Sequence, residues 1–244
     1  MVHKPGAAGN SKRRSISLLQ ATRMPGMKNC PPRGLYAITP PRYRQAQRLL
    51  AETEAALSGG ACLLQFRDKS GDGAWRLEMA DQLKRLCQLH RVPLIINDDI
   101  DLAARVGAGG VHLGQGDASI QDARVALGAD SIIGASCHDR LELAQSAAAA
   151  GASYLAFGSM FPSGSKPQAV HCPVPTLRAA QKFDLPLVAI GGITMENGAS
   201  LVAAGASYLA VIGALFDAPD VRRAAQQLCG LWQEPHDGTP PSTY

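Results

Sequence analysis

Aromatic side chains are scarce in this chain of 244 residues: two Trp, five Tyr and five Phe make up 5% of it, while 46% of all residues are apolar. A core without aromatic bulk is filled by Ala, Val, Leu and Ile, which favours stacked β/α units over an aromatic-rich sandwich. No apolar run approaches the roughly 20 residues that a bilayer-crossing helix requires, so no membrane span is expected. The six cysteines (Cys30, Cys62, Cys87, Cys137, Cys172 and Cys229) form no CxxC pair and show no zinc-ligand spacing. A chain of this length can bury a core without disulfides, and free thiols in a reducing cytoplasmic compartment are expected. The amino-terminal stretch also lacks the continuous apolar segment of a secretory signal.

Acidic residues are absent from positions 1–33, where Lys4, Lys12, Arg13, Arg14, Arg23, Lys28 and Arg33 give a net charge of +7; the remainder is −3. A basic tail on a mildly acidic body is no basis for expecting a nucleic-acid partner. Pro5, Gly6, Gly9 and Pro25 oppose a stable amphipathic helix there. Residues 1–33 are therefore expected to form a disordered basic extension, 34–230 the folded domain, and 231–244 a flexible tail.

Short apolar or β-branched runs then alternate with longer amphipathic segments. The runs are Leu35–Thr39, Ala61–Arg67, Pro93–Asn97, Gly110–Leu113, Ser131–Ser136, Ser153–Gly158, Pro186–Gly191 and Ser207–Gly213. Most are near-continuously apolar, as strands of a parallel sheet are when helices cover them. Helical patterns at Gln45–Leu57, Ala74–His90 and His138–Ala150 lie between them. Eight such alternations predict a single (β/α)8 barrel, an α/β fold. An internal repeat agrees: Gly-Ala-Ser-Tyr-Leu-Ala stands at Gly151–Ala156 and again at Gly205–Ala210, two β/α units apart. In each copy a glycine ends an Ala-rich helix, where positive φ is often needed, and a strand follows within a few residues.

In such barrels the chemistry sits at the carboxyl ends of the strands. Those ends carry Gln65-Phe66-Arg67-Asp68-Lys69, Asn97-Asp98-Asp99, Gln115-Gly116-Asp117, Ser136, the loop Gly158 to Lys166, Gly191-Gly192 and Ile212-Gly213. Taken singly, each has a plainer explanation: a solvated strand edge for Gln65, Arg67 and Lys69, helix caps for Asp98 and Asp117, and a tight turn for Gly191-Gly192. Their convergence on one rim is what points to function. Period-2 spacing puts Gln65, Arg67 and Lys69 on one side of an extended segment, and with Lys166 across the mouth they suit a polyanion. Asp98 and Asp117 on neighbouring strand ends suit Mg²⁺, which commonly takes one or two carboxylates plus substrate oxygens. The glycine-rich ends of the seventh and eighth strands offer backbone N–H groups to a phosphate monoester. Cys137 and His138 are discounted as a nucleophile pair, since adjacency in sequence does not bring their side chains together. His112 is read as a hydrogen-bonded interior residue.

In order and spacing, Gln65-x-Arg67-x-Lys69, Asn97-Asp98, His112-x-Gly114-Gln115-x-Asp117, Gly134-x-Ser136, Gly158-x-x-Phe161-Pro162-Ser163-x-Ser165-Lys166 and Ile190-Gly191-Gly192-Ile193 resemble the thiamine-phosphate synthase family. The resemblance implies a cytoplasmic transferase that joins 4-amino-5-hydroxymethyl-2-methylpyrimidine diphosphate to thiazole phosphate, giving thiamine phosphate and pyrophosphate. It implies that Gln65, Arg67, Lys69, Asn97 and Lys166 bind the diphosphate substrate, that Ser136 contacts the pyrimidine, and that Asp98 and Asp117 bind Mg²⁺. Ser163, Ser165, Gly192, Ile212 and Gly213 would hold the thiazole phosphate, with Lys166, Arg67 and Lys69 assisting pyrophosphate departure. Serine stands at 163 and 165 where the family commonly has threonine, and Gly213 where it often has serine. The expected partners are these small molecules, with neither nucleic acid nor membrane, and assembly into a homo-oligomer is left open. Two alternatives remain at this point: a thiazole tautomerase on the same barrel, and a non-catalytic thiazole-phosphate-binding barrel.

Overall fold

Each apolar run condenses into one short strand because turn-forming residues bound it on both sides. In the computed structural model, which describes residues 29–41, 45–162 and 170–232, the strands are β1 Gly34–Ile38, β2 Leu63–Phe66, β3 Leu94–Asn97, β4 Gly110–Leu113, β5 Ile132–His138, β6 Tyr154–Phe157, β7 Leu187–Ile190 and β8 Tyr208–Val211. All neighbours pair in parallel and β8 closes on β1, giving the expected (β/α)8 barrel. The outer helices are α1 Ala46–Ser58, α2 Gly73–His90, α3 Ile100–Val106, α4 Ile120–Leu127, α5 Leu141–Ala149, α6 Val174–Ala179, α7 Met195–Ala203, α8 Gly213–Phe216 and α9 Val221–Gly230. A 3-10 turn, Ala180–Phe183, follows α6.

One boundary differs in kind from the sequence expectation. The segment expected to begin a helix at His138 is still strand there, and α5 starts at Leu141. The cause is an irregularity in the β5–β6 pairing between Ser136 and His138, with His138 at a φ of 53°. The helix ends behave as expected. Gly107, Gly151 and Gly205 take φ of 61°, 90° and 100° at three helix-to-strand turns, a region where a Cβ would be strained.

Alternation along the strands sorts the apolar residues into two layers. Leu35, Ala37, Leu64, Phe66, Ile96, Val111, Ile133, Leu155 and Leu209 face outward and pack with the helices. Tyr36, Ile38, Leu63, Ile95, Ile132, Tyr154, Ala156, Val188, Tyr208 and Ala210 fill the barrel interior. Of the few aromatics, three tyrosines therefore lie inside the barrel, and the repeat supplies two of them. Room for Tyr154 comes from Gly134 opposite it on β5: a Cβ there would lie 1.9 Å from Tyr154 Cζ.

The amino-terminal floor of the barrel is covered by the residues just before β1. Tyr208 Oη donates to the Pro31 carbonyl at 2.5 Å, and Asn29 Nδ2 donates to the Asp130 carbonyl at 2.5 Å. The rest of the expected amino-terminal extension, residues 1–28, lies outside the described residues, as do positions 233–244 of the expected tail.

Gly134→Ala is expected to destabilise the protein by about 1–3 kcal/mol or more through overpacking against Tyr154. Urea unfolding should show the midpoint fall at an unchanged slope; an unchanged midpoint would mean that the ring has room to move.

Candidate active site

The strand exits place the polar residues at one rim. At β2, the buried Thr39 hydroxyl accepts from the Arg67 amide at 2.9 Å and donates to its carbonyl at 3.4 Å, fixing the extended segment that carries Gln65, Arg67 and Lys69. Lys69 reaches across to β3, where its Nζ donates to Asp98 Oδ2 at 2.6 Å. Gln65 turns inward: it is 3% exposed and its Nε2 donates to Tyr36 Oη at 2.8 Å.

Helix capping decides the roles of the aspartates. In Asn97-Asp98-Asp99 it is Asp99 that caps α3, accepting from the Leu102 amide at 2.8 Å, and its other oxygen accepts from Arg76 Nη2 at 2.8 Å. Asp98 is left with a φ of 65°, a left-handed conformation that Asp tolerates because its side chain is short and polar. At α4 the cap is Ser119, in a reciprocal capping box with Asp122. Asp117 instead accepts from the Gly114 amide at 2.7 Å inside the β4–α4 turn. Neither Asp98 nor Asp117 caps a helix, and the two carboxylates face each other closely enough to perturb one another.

Their electrostatics diverge. Burial pushes Asp98 up, but the hydrogen bonds from Lys69 and Asp117 and the Lys69 charge outweigh it and hold Asp98 below the usual carboxylate range. Burial also pushes Asp117 up; the Gly114 amide opposes this, the facing Asp98 reinforces it, and Asp117 ends above that range. Among the described residues, Lys69 is the cation hydrogen-bonded to this carboxylate pair. An all-oxygen pair of this kind fits Mg²⁺, which completes its shell with substrate oxygens and water. Among the described residues no group of three His, Cys, Asp or Glu forms a self-sufficient metal cage.

Ser136 ends the inward-facing row of β5, where its Oγ lies 2.9 Å from His112 Nε2 and its carbonyl accepts from Gln115 Nε2 at 2.5 Å. His112 is thus hydrogen-bonded in the interior, as read from the sequence. On the far side, Gly191 and Gly192 adopt φ of 102° and 61°, and a Cβ on Gly192 would lie 2.4 Å from the Pro162 carbonyl oxygen. Ile212 and Gly213 lie where β8 passes into α8.

A family model described as thiamine monophosphate synthase matches residues 35–215, which takes in every one of these strand ends. The chain belongs to that family. It is 54% identical over 202 residues to the thiamine-phosphate synthase of Thiobacillus denitrificans, covering 82% of this chain and 95% of the relative. Identity is also 54% over 202 residues with the thiamine-phosphate synthase of Chromobacterium violaceum, covering 82% of this chain and 97% of the relative. Among solved structures, a thiamine phosphate pyrophosphorylase from Pyrococcus furiosus superposes with a TM-score of 0.72 at 33% identity, covering 81% of this chain and 94% of its own.

Within the family barrel, a cavity of about 720 Å³ opens on the β2–β4 side, lined by Lys69, Asn97 and Asp98 together with Arg76, Asp101 and Asp122. Sequence reasoning missed that Thr39, Tyr36 and Tyr154 hydrogen-bond to Arg67, Gln65 and His112, and that Arg76 lines the cavity. Arg76 was hidden because it sits on α2 and meets the rim through its ion pair with Asp99, and only its position early in that helix hinted at it. Ser163, Ser165 and Lys166 lie outside the described residues.

The two carboxylates have opposite linkage to folding. Asp98, with a lowered pKa, stabilises the fold above the ordinary Asp range of about 3.9, and this is lost as the pH falls through its folded pKa. Asp117, with a raised pKa, opposes folding when ionised at neutral pH, and the opposition is relieved as the pH falls through its folded pKa. In chelator-treated protein at neutral pH, Asp117→Asn should therefore raise the melting temperature and Asp98→Asn lower it. Each effect should be a few tenths of a kcal/mol, roughly what solvent-screened charges contribute. Thermal melts check this, and a loss of stability in both variants would contradict it.

Proposed function

We propose that this chain joins 4-amino-5-hydroxymethyl-2-methylpyrimidine diphosphate to thiazole phosphate, producing thiamine phosphate and pyrophosphate. The observation that carries the reading is that Asp98 and Asp117, both relieved of capping by Asp99 and Ser119, face one another beside Lys69.

In the reaction, the bond between the pyrimidine methylene carbon and the diphosphate oxygen breaks, with its electrons leaving on pyrophosphate. The thiazole nitrogen lone pair then forms the new carbon–nitrogen bond. The aminopyrimidine ring delocalises the positive charge that develops, so no protein nucleophile or strong base is required. Burial pushes the Cys137 thiol up to about 12, which agrees with its having no nucleophilic part. Asp98 and Asp117 would hold Mg²⁺, which supplies positive charge to the departing pyrophosphate. Arg67, Lys69 and Lys166 would add positive charge on the same group, and Asn97 and Gln65 would orient the diphosphate substrate. Ser163, Ser165 and the backbone at Gly192, Ile212 and Gly213 would hold the thiazole phosphate on the β7–β8 side. The cytoplasm is the compartment that six free cysteines suit best.

Purified protein given both substrates and Mg²⁺ should release thiamine phosphate and pyrophosphate, and EDTA should abolish the reaction. Asp98→Asn and Asp117→Asn should each lower turnover by about a hundredfold or more, and Lys166→Ala should reduce kcat far more than it weakens thiazole-phosphate binding. Isomerisation of the thiazole without condensation would overturn the proposal.

A further inference from the structure

Five polar side chains from five strands form a continuous hydrogen-bonded line through the barrel interior. Gln65 Nε2 donates to Tyr36 Oη at 2.8 Å, Tyr36 Oη lies 2.9 Å from Tyr154 Oη, Tyr154 Oη lies 3.0 Å from His112 Nδ1, and His112 Nε2 lies 2.9 Å from Ser136 Oγ. Both tyrosines are buried, at 1% and 0% exposure, so a hydroxyl proton left without an acceptor there would be costly. Packing fixes the line in place: the Tyr36 and Tyr154 rings meet edge to face at 5.9 Å between centroids, and His112 stacks on Tyr154 at 5.7 Å and 11°.

The direction follows from the first donor. Tyr36 Oη accepts from Gln65, so the Tyr36 proton goes to its other partner, Tyr154 Oη. Tyr154 must then give its proton to His112 Nδ1, which accepts only if that nitrogen is bare. The remaining His112 proton sits on Nε2 and is donated to Ser136 Oγ. Ser136 has now accepted, and its own hydroxyl proton is available to the mouth. Burial pushes both tyrosines well above the ordinary phenol range, so the relay stays as neutral hydroxyls.

We infer that Tyr36, Tyr154 and His112, with their direction set by the Gln65 amide, act as positioning residues that set the polarity of Ser136, presenting its hydroxyl to the substrate as a hydrogen-bond donor. The hydroxyl proton is then available to an acceptor on the substrate, such as a ring nitrogen lone pair. This identification of the docking group rests on the transferase reading above; the polarity of the line does not.

Long-range ¹H–¹⁵N correlation on protein labelled at histidine, with His112 assigned through His112→Asn, reads the tautomer directly. A proton on Nε2 with a bare Nδ1 is the expected result. A proton on Nδ1, as a line running in the opposite sense or a charged ring requires, overturns the inference whether or not the protein makes thiamine phosphate. Kinetics supply the second reading. Tyr154→Phe should lower kcat by about ten- to a hundredfold, with KM for thiazole phosphate unchanged, because the ring remains and only the proton relay is cut. In a Ser136→Ala background the same change should add less than about twofold, since both substitutions act through one hydroxyl. Multiplying effects in the double variant would show that Tyr154 acts by packing alone and would also overturn the inference.

Discussion

Asp98 and Asp117 stand on consecutive strand-to-helix connections, and like charges brought together at a barrel rim repel unless something cationic lies between them. Much of the surrounding structure answers to that constraint. Asp99 and Ser119 cap the two helices, so neither carboxylate serves as a helix cap. Asp98 occupies a left-handed backbone conformation at the end of β3. Lys69 is held against Asp98 by a segment that Thr39 pins through the Arg67 backbone. The raised pKa of one carboxylate and the lowered pKa of the other express the same frustration, which a divalent cation and a polyanionic substrate together would relieve.

The barrel interior divides into a dry part and a polar part, and strand alternation creates both. Below, Leu63, Ile95, Ile132 and Tyr208 pack without polar demands beyond the Tyr208 hydroxyl, which the carbonyl of Pro31 satisfies. Above them, the same inward rows bring Gln65, His112 and Ser136 into contact with the hydroxyls of Tyr36 and Tyr154. A buried polar line of this sort is tolerable only when every member has a partner. That requirement connects Ser136 at the mouth to the buried hydroxyls of Tyr36 and Tyr154. Gly134 belongs to the same device, since only a residue without a Cβ leaves space for Tyr154 opposite it.

The barrel was legible in the sequence because its signals are local: apolar runs of strand length, amphipathic segments between them, and glycines where positive φ ends a helix. The rim was legible because strand carboxyl ends can be counted along the chain. What could not be read was the division of labour between neighbouring residues. In Asn97-Asp98-Asp99 either aspartate satisfies the rule for a helix cap, and the choice turns on where α3 begins. The helix expected from His138 failed for a related reason, an irregular β5–β6 pairing that no local pattern announces. The polar line was hidden altogether. Tyr36 and Tyr154 lie 118 positions apart in the chain, and only barrel closure brings their hydroxyls together.

The central claim is that Asp98 and Asp117 form a divalent-cation site completed by pyrophosphate. A crystal structure of the protein grown with Mn²⁺ and pyrophosphate tests it most directly through the anomalous signal of the metal. The account predicts one Mn²⁺ between the two carboxylates, at about 2.1–2.2 Å from an oxygen of each, with pyrophosphate oxygens completing the shell and Lys69 moved onto the anion. Metal bound elsewhere on the rim, or pyrophosphate bound with the Lys69–Asp98 pair intact and no metal beside it, would contradict it.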